Sequence, residues 1–408
     1  MATIKPFRAL RPVPEKAERV SSPPYDVVQT DEVRRTIREN PLSFLRITRS
    51  EAEFADGESP LPKQVFERSR ENLQDFIARG VFFTENEPAL YVYRLKDGEH
   101  EQTGIVACCS LDEYESGLIK KHEKTRPDKV EDRTEHLLAV RAQTGLILLA
   151  FRGTVRIHAL LNEAITHEPL YDFCCEEGVQ HTFWRVDATG DLVAAFKDVP
   201  SLYIADGHHR AESAELARNE LRASNASHSG TEEYNYVLAG IFPAEDLRIL
   251  AYDRLLADLN GLSDDEFLAK IGENFIVSET NETVPTQTGQ ICMYFNKKWH
   301  LLRFAVNYIR APEPIERLDV TILYKYVLRP VLGIEDERTD DRISFVGGKN
   351  AADKLAELVD QGKGRVAFSL FPTSMDDLLE VSDMNDIMPP KSTWFDPKLK
   401  DGILIHLI

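Results

Sequence analysis

Residues 201–221 constrain this chain more than any other stretch. Ser201-Leu202-Tyr203-Ile204 is short and apolar, with strand propensity. Ala205-Asp206-Gly207-His208-His209-Arg210 follows, and Ala211 to Leu221 is rich in strong helix formers. The pattern predicts a strand-to-helix turn. Asp206 is expected to cap the helix, and Gly207 to permit a close approach. The next backbone amides then point outward without intrahelical acceptors, and the helix dipole adds partial positive charge there. Arg210 adds a fork that matches phosphate oxygens, and His208 and His209 add donors that gain charge near neutral pH. A phosphate group suits such a corner. A capped helix with surface histidines is the plainer alternative. Consecutive helix residues diverge by about 100°, so His208 and His209 are not expected to share a metal ion, and no metal site is expected.

Composition narrows the class. The chain has 408 residues, 42% of them hydrophobic, and a net charge of −19. That length suggests roughly two or three domains. The acidic balance argues against a sequence-independent grip on DNA or RNA, which needs a basic face, and against an anionic membrane surface. No apolar run reaches the roughly 18 residues that a transmembrane helix needs. Met1-Ala2-Thr3-Ile4-Lys5-Pro6-Phe7 lacks the apolar core of a signal peptide. The expectation is a cytoplasmic enzyme or binding protein, with no nucleic-acid or membrane partner. The five cysteines include the adjacent pairs Cys108-Cys109 and Cys174-Cys175, neither with metal or redox spacing; all five are read as reduced thiols, mostly packing residues, with a catalytic thiol as the alternative.

Strands are expected at Pro6–Leu10, Ala89–Leu95, Thr103–Leu111, Gly145–Phe151, Thr182–Val186 and Tyr236–Phe242. Helices are expected at Asp31–Glu39, Leu61–Arg79, Asp132–Ala142 and Ile157–Ile165. Beyond about Asp246 the pattern changes. It reads as a helix Ser263–Ile271, a strand at Phe275–Val277, a hairpin Gln290–Phe295 with His300–Val306, helices Asp319–Val327 and Asn350–Gln361, a strand Arg365–Phe371 and a proline-rich end. The fold class is α+β, that is, mixed α/β. The domains expected are 1–245 and 246–408.

Other stretches carry candidate chemistry. The rigid loop Ser21–Val28 holds Tyr25 and Asp26 beside two prolines, as a site loop or a structural turn. Lys120–Pro127, with His122, Glu123 and Lys124, is dense in cations within an acidic chain, and Glu131-Asp132-Arg133 follows at a helix start. The cations suit a nucleotide polyphosphate and the carboxylates suit Mg²⁺; a solvated loop is the alternative. Glu15 follows the first strand on a loop and is placed to act as a base. Met388–Phe395, with Lys391, either reaches back to a site or seals a core with its aromatics. No P-loop or dinucleotide fingerprint is present.

The Asp206–Arg210 box resembles the phosphate-binding box of the ParB/sulfiredoxin-like superfamily, in the spelling used by its free serine kinases. The whole chain resembles a long bacterial and archaeal family. The matching stretches are Pro6–Arg11, Pro23–Val27, His122–Thr125, Glu131–Arg133, the box, and Met388–Thr393. The resemblance implies a ParB-like phosphate-binding core with insertions, followed by a C-terminal α/β domain. It implies a phosphotransferase that moves a phosphoryl group between a nucleotide (ATP or ADP, with Mg²⁺) and a small hydroxyl substrate, free serine or phosphoserine. Glu15 best matches the general base, with Asp26, Glu123 and His209 as further catalytic candidates. Asp206, Gly207, His208, His209, Arg210, His122, Lys124, Arg133 and Lys391 would hold phosphates. A non-catalytic ParB-like nucleotide-binding protein is the alternative.

Overall fold

Apolar runs that sequence reasoning places in strands pair into one large sheet. It contains nine described strands, ordered Ile119–Lys120, Leu202–Asp206, Ile147–Phe151, Tyr236–Pro243, His100–Ser110, Leu90–Asp97, Gln180–Val186 and Tyr171–Cys174, with Ile4–Lys5 added beside His100–Ser110. Leu202–Asp206 runs parallel to Ile119–Lys120 and antiparallel to Ile147–Phe151, which in turn runs parallel to Tyr236–Pro243. The chain is therefore mixed α/β. Every residue of Ile147–Phe151 is buried, as a run of Ile, Leu, Leu, Ala and Phe requires when both faces are covered. Ala211, Ala214 and Ala217 recur at helical spacing on the helix His208–Ser224 and share a core with Leu149, Ile204 and Ile241.

This computed structural model describes residues 1–55, 57–305 and 313–408. Two compact units result. The first comprises Met1–Lys120, Thr125–Leu247 and Pro397–Ile408; the second comprises Lys121–Lys124 and Arg248–Asp396. In the first unit, the closing segment joins the fold by backbone pairing. Asp401 and Ser22 exchange hydrogen bonds, as do Leu10 and Ile405, and His406–Leu407 pairs with Ala142–Gln143. The second unit is an antiparallel sheet ordered Phe275–Thr280, Lys298–Phe304, Gln290–Phe295, Val366–Leu370, Tyr252–Leu256 and Ile343–Gly347. Its central hairpin turns at Asn296 and Lys297, both with positive φ, as the tightest hairpin turns require. Among the described residues no helix is long and apolar enough to cross a membrane.

Several boundaries differ from expectation for local reasons. The strand expected at Pro6–Leu10 is split into Ile4–Lys5 and Leu10–Pro12, with Phe7 making one isolated bridge to Ala89. Pro6 has no N–H to continue a ladder. The helix expected from Asp132 starts five residues earlier and runs Pro127–Val140, with proline in its first turn. It ends before Ala142 because Arg141 is left-handed, with φ 58°. The helix expected at Asp319–Val327 is α-helical only over Asp319–Leu323, then widens to a π-turn at Tyr324–Leu328. Val306, the end of one expected strand, lies outside the described residues. The expected proline-rich end contains an unanticipated helix, Met375–Asp383, started by a reciprocal Ser374–Asp377 capping box.

Ile204 is fully buried between two strands of the large sheet. Ile204→Ala removes packed methylenes and should cost about 2–5 kcal/mol. Urea unfolding should show a lower midpoint; an unchanged midpoint would mean that the core does not sit on this strand.

Candidate phosphate site

Gly207 joins the buried strand Leu202–Asp206 to the 17-residue helix His208–Ser224. Its φ of 93° lies in the left-handed region, and an added Cβ would meet Ile147 at 3.1 Å. Glycine is therefore needed for both conformation and space. The N-cap residue is Gly207 itself, which has no side chain to cap the helix with. Its first intrahelical bond runs from the Ala211 N–H to the Gly207 carbonyl at 3.0 Å. The amides of His208, His209 and Arg210 precede it and have no intrahelical acceptor. Asp206 was expected to cap them. It lies one residue too early, on the strand, and turns back: the Gly207 N–H donates to its Oδ1 at 2.7 Å. Its Oδ2 accepts from Lys398 Nζ at 2.7 Å.

Arg210 was expected to offer its fork to phosphate. The fork meets Asp401 instead, with Nη1 and Nη2 donating to the two carboxylate oxygens at 2.9 and 2.8 Å. Nη1 also donates to the Leu146 carbonyl at 3.3 Å. The Asp401 side chain is 2% exposed and that of Arg210 17%. An added Cβ at Gly145 would stand 1.7 Å from Nη1, so only glycine leaves room for this guanidinium. Burial alone would lower the Arg210 pKa, but Asp401, and then Asp26 and Tyr25, reverse that and raise it. Burial pushes the Asp401 carboxyl up while Arg210 pulls it down. Two short charge-assisted bonds support the ionised pair.

Tyr25 brings a second guanidinium to this corner. Its ring centre lies 4.3 Å from the Arg133 guanidinium carbon and 5.2 Å from that of Arg210. Burial, and then the neighbouring Asp26 charge, push its phenol up to about 12, so it stays protonated. Arg49 holds the loop from behind, donating to the carbonyls of Tyr25 and Val28 at 2.7 Å and to Thr30 Oγ1 at 2.9 Å. Arg133 also pairs with Asp132. Beneath lies His136, buried, with Nε2 at 3.0 Å from the Ile47 carbonyl. A carbonyl only accepts, so Nε2 carries the proton. Burial, and then Arg133, depress this imidazole to about 3. A cavity of about 40 Å³ remains among Tyr25, Arg133, His136, Gly145, Arg210 and Ser213. It has room for a water or two, not a nucleotide.

His209 is half-buried, and its Nε2 accepts the Arg126 N–H at 3.1 Å, which places the proton of the neutral ring on Nδ1. His208 is buried. Asp26 is exposed, and its charge acts on Tyr25, Arg210 and Asp401. Glu15 is exposed on the 3-10 turn Pro14–Lys16. His122, Glu123, Lys124 and Lys391 belong to the second unit. There the Met388 N–H donates to the His122 carbonyl at 2.8 Å, and Lys391 Nζ lies 5.5 Å from the Tyr252 ring. Trp394–Phe395 pairs with Ile249–Leu250, and Trp394 packs against Gly347, so these aromatics seal the second unit. Sequence reasoning missed Asp401, Lys398, Gly145, Arg49 and His136. The available signal was the apolar Ile403-Leu404-Ile405 at the end of the chain, which marks a segment that must be packed.

The chain belongs to the family DUF1015, described as a protein of unknown function, whose model matches residues 4–321. No curated protein matches it in sequence. Among solved structures, it is similar to a conserved hypothetical protein from Pyrococcus furiosus at 14% identity and a TM-score of 0.38, over 74% of this chain and 95% of that one. It is similar to a free serine kinase in complex with AMP at 13% identity and a TM-score of 0.37, over 73% and 91%. A third likeness is SbnI with C-terminal truncation from Staphylococcus aureus, at 10% identity and a TM-score of 0.40, over 74% and 87%.

Asp401→Asn should leave a buried guanidinium uncompensated and cost about 3–5 kcal/mol in urea unfolding. The double variant Arg210→Met/Asp401→Leu should recover most of that loss; if it is no more stable than Asp401→Asn, the pair is not the cause. His136 makes stability pH-dependent. Its folded pKa lies near 3 and its unfolded pKa near 6.5, so as pH falls the unfolded state binds the proton first. The stabilisation is intact above 6.5 and lost progressively down to 3. Between pH 7 and 5 this amounts to about 2 kcal/mol. His136→Gln, which keeps a donor for Ile47, should flatten the decline; an equal slope in both proteins would refute the assignment.

Proposed function

We propose that the first unit binds the phosphates of a nucleotide on the open turn at Gly207 and exchanges a phosphoryl group with a small hydroxyl compound. The observation that supports this reading is the helix start itself: a left-handed glycine at the N-cap sets the amides of His208, His209 and Arg210 in the first turn, before the first intrahelical bond. Such a turn favours an anion through both its donors and the helix dipole. His209 sits in the first turn and can add a donor from Nδ1. Arg210 acts from behind, through a charge already balanced by Asp401. A nucleotide bound here would bring Mg²⁺ as a counter-charge. The spelling of the box, which resembles that of free serine kinases, makes free serine or phosphoserine the first substrates to test.

Asp26 is the carboxylate best placed to orient an acceptor hydroxyl. It is exposed, it follows Tyr25 in a loop anchored by Arg49, and its charge reaches Arg210. Glu15 and Glu123 remain the competing bases. A second reading has a specific observation behind it: Arg210 and Arg133 already hold Asp401 and Asp132. With those charges balanced, the unit would bind nucleotide without transferring phosphate.

Phosphorus NMR on the full chain with ATP or ADP, Mg²⁺ and a panel of amino acids separates the two. Transfer to serine, or from phosphoserine, supports the enzyme. Asp26→Asn should then slow transfer by about 10²–10⁴-fold while leaving nucleotide binding within a few-fold. If Glu15→Gln or Glu123→Gln does this instead, the base is that residue. Nucleotide binding without any transfer supports the second reading, and no nucleotide binding at all rejects both.

A further inference from the structure

A separate cavity of the first unit concentrates positive charge against the sign of the whole chain. Its volume is about 630 Å³, within the roughly 300–1,000 Å³ typical of ligand pockets. Arg38 comes from the helix Thr30–Glu39, Arg46 from Leu45–Thr48, and Arg68 from Pro62–Ala78. Among the described residues Glu53 is the acid that lines it. That one carboxylate serves two of the three guanidiniums, with Arg46 Nε donating at 2.5 Å and Arg68 Nε 3.8 Å away. Arg68 also reaches Glu71, which is exposed on its own helix. Ile37 and Phe54 supply apolar wall.

Three arginines on the wall of one cavity raise the positive potential inside it, which an anion relieves. Among the described residues, Glu53 and Glu71 answer Arg46 and Arg68, and no carboxylate is paired with Arg38, which leaves one guanidinium in excess in a protein whose net charge is −19. Guanidinium forks match phosphate oxygens, and several converging forks favour a doubly charged group over a single carboxylate. We propose that this cavity is a second anion site, independent of the Gly207 turn, that takes an organic phosphate monoester: its dianion among Arg38, Arg46 and Arg68, and its apolar body against Ile37 and Phe54.

Calorimetric titration of the full chain with phenyl phosphate, at low salt and pH 8, tests this. Saturable binding is expected that weakens steeply with added salt and that persists in His209→Ala. Arg38→Ala/Arg68→Ala removes two exposed side chains and should weaken binding at least tenfold without moving the unfolding midpoint. Inorganic phosphate should bind more weakly than phenyl phosphate, and benzyl alcohol should not bind. His209→Ala, at the other site, should leave the titration unchanged. Absence of saturable binding, or an unaltered affinity in the double arginine variant, would overturn the proposal. A loss confined to His209→Ala would move the ligand to the Gly207 turn and overturn it equally. Failure here leaves the Gly207 reading standing, because the two sites are probed by different variants.

Discussion

The ion pair between Arg210 and Asp401 organises the box of the first unit. A guanidinium that is mostly removed from water is tolerated only where an opposing charge and further acceptors meet it. Asp401 meets both prongs, the Leu146 carbonyl takes one N–H again, and Tyr25 covers the face. Gly145 is a glycine because a Cβ there would collide with Arg210 and Asp401, whereas Gly207 is one because its φ is 93° and a Cβ would press tightly on Ile147. The neighbouring Lys398–Asp206 pair holds the other side of the box to the same closing segment. Charge, sterics and backbone pairing all fix one arrangement of the strand-to-helix turn.

That arrangement divides labour between side chains and backbone. The strongest cation of the box is turned inward, where it binds protein. The donors left to the proposed anion are main-chain amides, which cannot change rotamer and would lose no side-chain entropy on binding it. His136 follows the same logic. It is neutral, buried beside two arginines, and spends its proton on a carbonyl. A charged imidazole there would add a third cation to a dry corner. The arginine-lined cavity is the contrast: Arg38 and Arg68 there are exposed rather than turned inward.

Much of this was legible locally. Leu202–Asp206 and Ile147–Phe151 are apolar runs of strand length, and the Ala- and Glu-rich segment after Gly207 is a strong helix former, so the turn follows from neighbours in sequence. The helix start at Pro127 was hidden because its first turn is polar and exposed, giving no periodic apolar signal until Val130. The Ser374–Asp377 capping box was visible in the residues, yet surrounding prolines argued for a loop. The partner of Arg210 was not legible at all. It lies 191 residues away, and the chain contains 68 acidic residues, none marked by spacing as the one that returns. Pairing over such a separation is decided by the sheet, not by any local pattern. The inward turn of Arg210, and with it the balance between backbone and side-chain donors, therefore could not be foreseen.

The placement of Asp401 also bears on how the protein is made. Apart from Lys121–Lys124, the second unit occupies 248–396 of the chain, between the box and the segment that completes it. During synthesis, Arg210 leaves the ribosome long before its counter-charge does, and domains emerging first ordinarily fold first. Here the earlier unit cannot reach its finished state until the later one has been translated. Until then its box holds an unmatched cation and an open edge at Ala142–Gln143. Nascent chains halted before residue 401 would carry a fully synthesised second unit and an unfinished first one.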